Sequence, residues 1–140
     1  MIDTNVKGLL YVTRAFSPTW WPPTAATSSN IGSTAGHLVY PRGNVYNATR
    51  FAVNELSHAT SGTGGCGSTV DPGLVENRLQ QSRFRGDAAK NYRGITPLVP
   101  ADVAEAVQWV VDRPPRVNVR DVVLMPTAQR NAYVVHKEES

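Results

Sequence analysis

Apolar positions along the chain form a few short patterned stretches separated by polar or proline-rich ones. Ile2, Val6, Leu9, Leu10 and Phe16 recur near one stripe at helical spacing, which predicts an amphipathic helix over residues 1–16. No capping residue precedes Met1, so the chain reads as opening inside an element. Residues 17–29 hold three prolines and the adjacent Trp20 and Trp21; they show neither period and read as an irregular loop. Asn30–Ser33 reads as a strand end, although only Ile31 in it is apolar. A second helix is expected over residues 44–57, with Val45, Ala48, Ala52, Val53 and Leu56 inward and Tyr46 and Arg50, four apart, on one face. Residues 58–69, rich in glycine, serine and threonine, break the pattern, and a strand follows at Ser68–Asp71. The polar segment 76–99, with Arg78, Arg83, Arg85 and Arg93, has the length of a lid over a site. Pro100 opens a third helix, with Val103, Ala106, Val107, Val110 and Val111 in register, which stops at Arg113-Pro114-Pro115. Val122–Met125 reads as a parallel strand buried on both faces, and the tail 128–140 as polar surface. This order of elements predicts an α/β fold with parallel pairing.

Composition narrows the class without naming it. A chain of 140 residues, 41% apolar and 18% charged, suits one folded domain, 1–140, rather than a disordered segment. Its net charge of +3 is scattered, whereas a nucleic-acid binder concentrates its basic residues on one face. The lone Cys66 excludes an internal disulfide and fits a reducing cytoplasm. No apolar run reaches the roughly 18 residues of a membrane span, and no metal site is expected. Gly62-Thr-Gly64-Gly-Cys-Gly67 has the spacing of a dinucleotide loop. That loop needs a strand before it and a helix after it, whereas here a helix precedes and a short turn, Asp71-Pro72-Gly73, follows, so the match reads as a coincidence.

The chemistry concentrates in residues 30–50. Ser33 stands behind a glycine, and Tyr46 and Arg50 follow on a helix. A hydroxyl, a phenol and a fixed cation are the parts needed to move a proton while a hydride moves elsewhere. A free phenol titrates near 10, and a cation about 5 Å away at an effective dielectric of about 20 favours the phenolate by roughly 3 kcal/mol. A serine hydroxyl adds a preorganised donor where alkoxide charge develops. Taken alone, Ser33 reads better as a turn hydroxyl and Tyr46 as a half-buried core tyrosine.

Seven collinear blocks decide between these readings. They are Met-Ile-Asp-Thr-Asn-Val-Lys-Gly-Leu at 1–9, Asn-Ile-Gly-Ser-Thr-Ala-Gly at 30–36 and Asn-Val-Tyr-x-Ala-Thr at 44–49. Asp-Pro-Gly-Leu-Val-Glu at 71–76, Arg-Phe-x-Gly-Asp-Ala-Ala at 83–89, Ala-Glu-Ala-Val-x-Trp-Val at 104–110 and Val-Leu-Met-Pro-Thr-Ala-Gln at 123–129 complete them. With these blocks the chain resembles the C-terminal half of the short-chain dehydrogenase/reductase family, and within it the bacterial NADP-dependent serine/allo-threonine (3-hydroxy acid) dehydrogenases. The resemblance implies a truncated Rossmann-like, doubly wound parallel sheet of about three strands. Helices would lie on both faces, and the N-terminal nucleotide-binding strands would be missing. It implies hydride transfer between NADP(H) and a small hydroxy acid or oxo acid. Asn5 would hold a water of the proton relay, Ser33 the substrate oxygen, and Tyr46 the transferred proton. Pro72, Gly73 and Val75 would form the turn beside the nicotinamide; Arg83 and Arg85 read equally as holders of a substrate carboxylate and as part of a solvated basic loop. The family pairs through the helices corresponding to 1–16 and 44–57, so a homo-oligomer or association with an intact relative is expected.

The departures point the other way. Arg50 replaces the family's lysine, which serves as cation and as donor to the nicotinamide ribose; arginine's planar fork aims its donors differently. The family's glycine-rich turn would precede Met1, and the pyrophosphate would lose that helix N-terminus. Segments 17–29 and 58–70 fail to match while their flanks match. Codons ATG-GTG entered one base late give Trp20-Trp21, so a compensated frameshift accounts for the first segment, and resequencing the gene tests it. Val99 takes a capping position where threonine is usual, at a cost of about 1 kcal/mol. The expected function is therefore an impaired oxidoreductase; the alternative is a non-catalytic remnant.

Overall fold

The computed structural model describes residues 1–20, 26–59, 65–76 and 94–137. A π-helical turn over Asp3–Lys7 runs into helix α1 (Gly8–Trp20). Strand β1 (Ala26–Ile31), helix α2 (Asn44–Ala59), strand β2 (Gly65–Pro72), helix α3 (Pro100–Val111) and strand β3 (Asp121–Leu124) follow. The three strands form a parallel sheet in the order β1-β2-β3. Ile31 sits opposite Val70, and Val70 opposite Val122. The expected three-stranded Rossmann-like arrangement is therefore present.

Residues 17–29 are not one irregular loop. The helix continues to Trp20, and Thr27, Ser28 and Ser29 already pair with Cys66, Gly67 and Ser68. A parallel ladder is made by backbone groups, so polar side chains do not prevent it once β2 is in place. Gly65–Gly67 of the glycine-spaced stretch lie inside β2, which removes them from any phosphate loop; Gly62–Gly64 lie outside the described residues.

The helix faces differ most from expectation. On α2 the buried positions are Asn47, Thr49, Val53, Asn54 and Ser57, whereas Val45 and Ala48 are exposed. Asn47, Arg50, Asn54 and Ser57 recur at i, i+3, i+7 and i+10, a polar seam at helical spacing. It meets an equally polar sheet face, where Asn30, Thr69, Asp71 and Asp121 point toward the helix. Asn30 donates to Ser57 Oγ at 3.0 Å, and Ser57 Oγ donates to Val53 O at 2.7 Å. Hydrogen bonds on both sides make this seam, rather than the apolar stripe, the inner face. Val70 alternates to the opposite face and is fully buried. That face is therefore covered too, and α3 packs against β1 and β2.

Apolar side chains stay exposed at three places where no covering layer lies among the described residues. On the first helix Ile2, Leu10 and Phe16 are 54%, 45% and 49% exposed. Val111 is exposed at the end of α3. Strand β3 alternates between exposed and half-buried instead of being buried on both faces. The tail is not wholly surface either. Gln129 is buried, and its amide accepts from Leu74 N at 2.8 Å and donates to Asn131 O at 2.9 Å. Val99 provides no side-chain cap, as expected; the Asp102 carboxylate accepts from Val99 N at 2.8 Å instead. Among the described residues no helix is long and apolar enough to cross a membrane.

Candidate active site

The site begins where β1 ends. Gly32 N donates to Val70 O at 2.9 Å, prolonging the ladder by one residue. Ser33 is extended and caps a short 3-10 turn, Thr34–Gly36, its Oγ accepting from Ala35 N at 3.2 Å. Two glycines let this turn approach its neighbours. A Cβ on Gly32 would land inside the Asp71 carboxylate, and one on Gly36 would stand 2.9 Å from the backbone oxygen of Arg50. The spacing Gly-Ser-Thr-Ala-Gly thus answers to two close contacts made by a single turn.

Asp71, the last carboxylate of β2 before Pro72, is fully buried beneath the turn. Its Oδ1 accepts from Ser33 N at 2.9 Å, and its Oδ2 accepts from Thr69 Oγ1 at 2.6 Å. His37 Nε2 lies 3.0 Å from Oδ2. Asn54 completes the set when its amide nitrogen faces Asp71. It then donates to Asp71 Oδ1 and to Arg50 O and accepts from His37 Nε2, each at 3.2 Å. Thr69 Oγ1 also reaches Asp121 Oδ1 at 2.9 Å, and Asp121 meets His58 Nε2 at 2.7 Å. Arg120 Nη2, which can only donate, lies 3.0 Å from His58 Nδ1. Nδ1 is therefore the acceptor and Nε2 carries the proton toward Asp121. The facing atoms of His37, Asp71 and Asp121 lie within 4.8 Å of one another, and each is engaged by protein groups, so the cluster is read as a hydrogen-bond network.

Tyr46 and Arg50 stand one turn apart on α2. The guanidinium carbon of Arg50 lies 5.1 Å from the centre of the Tyr46 ring, so the expected cation is next to the phenol and stacked over its face. Nη1 of Arg50 donates to Ile31 O at 3.3 Å, tying the pair to the end of β1. Arg50 Nε is buried and has no partner among the described residues. Asn5 does not reach toward Ser33. Its amide donates to Thr49 Oγ1 at 3.1 Å, and Thr49 Oγ1 donates to Tyr46 O at 2.9 Å, so Asn5 braces the turn of α2 that carries the tyrosine.

Pro72 closes β2. Gly73 N donates to Leu124 O at 2.7 Å, and a Cβ at Gly73 would strike the Gln129 amide. Val75 is buried and bridges to Leu98. Arg83 and Arg85 lie outside the described residues. The fold thus gathers Ser33, Tyr46, Arg50 and the 72–75 turn around β2, with Asn5 one layer back. Asp71, His37, Asn54 and Gln129 were not singled out from the sequence. A signal for Asn54 was present in the polar seam of α2. Nothing in spacing pairs His37 with a carboxylate 34 positions on.

A short chain dehydrogenase family model matches residues 1–87. An NADP-dependent 3-hydroxy acid dehydrogenase of Salmonella typhi is 42% identical over 92% of this chain and 55% of its own length. Its namesake from Escherichia coli K12 is 41% identical over 99% of the chain and 59% of its own length. A sulfoacetaldehyde reductase of Chromohalobacter salexigens is 39% identical over 92% of the chain. Among solved structures, the closed form of serine dehydrogenase complexed with NADP+ superposes with a TM-score of 0.85 at 41% identity, covering 99% of this chain and 59% of that one. The chain spans a little over half the length of the curated relatives it matches.

Proposed function

We propose the following for a chain that belongs to the short-chain dehydrogenase family: an NADP(H)-dependent oxidoreductase for small hydroxy acids and oxo acids, with Ser33 and Tyr46 as its acid–base pair. The observation that carries the reading is the gathering of the Ser33 turn, the Tyr46–Arg50 pair and the Pro72–Gly73 turn on one parallel sheet. The cofactor fits the residues present, because Arg50 Nε is a buried donor with no partner among the described residues beside Tyr46. Tyr46, Arg50, Pro72, Gly73 and Val75 would hold it. When bound, it would give or take the hydride.

In this reading the chain's own residues handle the proton. Ser33 Oγ donates to the substrate oxygen as negative charge grows there. The Tyr46 hydroxyl gives or takes the proton of that oxygen. Arg50 favours the phenolate, and Asn5 steadies the tyrosine's turn through Thr49 while serving a water in the relay. The matched relatives are named for 3-hydroxy acids, serine and sulfoacetaldehyde, and the substrate read from them is a small molecule with an anionic end. Arg83 and Arg85 are candidates to hold that end. A cavity of about 650 Å³ lined by Thr96, Thr127, His136 and Lys137 is another. The setting read from the lone Cys66 is a reducing cytoplasm.

A second reading is a non-catalytic remnant that pairs with itself or with an intact relative. It is favoured by the exposed apolar stripe of the first helix. The deciding experiment uses the purified chain, an NADPH oxidation assay with 3-oxo acids, and a cofactor titration. Turnover supports the enzyme. Absence of cofactor binding together with co-purification with an intact relative supports the remnant.

A further inference from the structure

We propose that Asp71 is the positioning residue of the Ser33 turn and that it acts together with His37, whose Nε2–H it accepts. The proposal starts from proton counting. His37 Nε2 faces Asp71 Oδ2 at 3.0 Å, and that oxygen can only accept from it. Were Nε2 a bare lone pair, two acceptors would face each other beside a fully buried carboxylate. With the proton on Nε2, His37 donates to Asp71 Oδ2 and also to the carbonyl oxygen of Asn54. Asn54 is then free to give its own N–H groups to Asp71 Oδ1 and Arg50 O. This assignment satisfies the contacts among His37, Asn54 and Asp71.

Asp71 then receives four donors, two on each oxygen: Ser33 N and Asn54 on Oδ1, Thr69 and His37 on Oδ2. Four donors match the roughly four lone-pair sites of a carboxylate. Two of the donors lie at opposite ends of the catalytic turn, the backbone of Ser33 before it and the ring of His37 after it. The carboxylate therefore grips the turn at both ends, and Gly32 admits it because no Cβ fits there. Asp71 is followed directly by Pro72 and Gly73, so the same strand end fixes the serine turn and the turn assigned to the cofactor. Neither side chain touches the reacting atoms in this account; both act through where Ser33 is held.

The kinetic consequence rests on the proposed role of Ser33, whereas the anchoring rests on geometry alone, so the test has two arms. In the first, NMR of the full chain reads the side-chain nitrogens of His37 and the amide proton of Ser33. The expected result is a protonated-type Nε2, with a Ser33 amide that is shifted downfield and slow to exchange. In Asp71→Asn, the new amide can keep its oxygen on Ser33 N while its NH2 meets His37. Nε2 then becomes the unprotonated nitrogen and the Ser33 amide moves upfield. An unprotonated Nε2 in the unsubstituted chain, or a Ser33 amide in fast exchange, overturns the proposal even if Asp71→Asn does not fold. In the second arm, His37→Gln lowers kcat by tenfold or more, up to about 10²-fold, with KM changed by less than about twofold. An equal rise in KM with kcat unchanged contradicts the positioning role. A chain without turnover counts against the proposed function, and the NMR arm alone then decides the anchoring.

Discussion

Arg50 is the residue whose exchange tests the catalytic reading most directly. Stacked over Tyr46 and bonded through Nη1 to Ile31 O, its fork leaves the buried Nε without a partner among the described residues, whereas a lysine would present a single mobile ammonium. Arg50→Lys is expected to raise cofactor affinity and turnover by an order of magnitude or more, as read by NADPH titration and initial rates. Unchanged binding would remove arginine as the cause of impairment. Gly32→Ala tests the close approach beneath Ser33. The methyl must displace the Asp71 carboxylate, which is held by Ser33 N, Thr69 and His37, so a loss of about 1–3 kcal/mol is expected in urea denaturation. Ser33, Tyr46 and Arg50 were legible in the sequence as candidates because the collinear blocks, rather than their spacing alone, single them out. Asp71 and His37 were not, because their pairing exists only once β2 lies beside the end of β1.

Helix α2 shows how a face can be misread. Periodicity gives the stripes of a helix but does not say which stripe turns inward, and here the neighbouring strands present Asn30, Thr69, Asp71 and Asp121. Asn54→Leu should therefore destabilise the chain by about 1–3 kcal/mol. It adds apolar volume yet strips a partner from Asp71, His37 and Arg50 O; thermal melting measures it, and a stabilised variant would contradict the polar seam. At the start of α3 the expectation runs in the other direction. Val99 is half exposed and offers no acceptor to the first turn. Val99→Thr or Val99→Ser should add about 1 kcal/mol, visible as a higher Tm, because the Asp102 bond to Val99 N does not occupy the position of a cap oxygen.

Among the described residues the interior is polar. Five apolar side chains are buried there against nine polar ones, so hydrogen bonds carry much of the specificity of this part of the fold. Both outer strands pair on one side only among the described residues, an arrangement prone to association. Sedimentation of the purified chain should show mass rising with concentration. Leu10→Glu, on the exposed stripe of the first helix, should shift that equilibrium toward monomer if the stripe is the contact. No change would direct attention to the strand edges.

Much of the plan was readable before folding was considered. Helix α3, with its Pro100 start and double-proline stop, the strand before Pro72 and the parallel order all follow from local patterns, because local propensity and turn chemistry act within a few residues. The seven blocks carried the family for the same reason: identity at many collinear positions needs no coordinates. What only the tertiary structure decided is which residues meet. It extended β1 through Thr27-Ser28-Ser29 because β2 supplies ladder partners. It turned the polar seam of α2 inward and left the stripe of the first helix exposed. It also placed a fully buried carboxylate between Ser33 and His37. Each depends on groups brought together from distant parts of the chain, and burial, which makes an unsatisfied polar atom costly, is a property of the assembled layers that no single stretch contains.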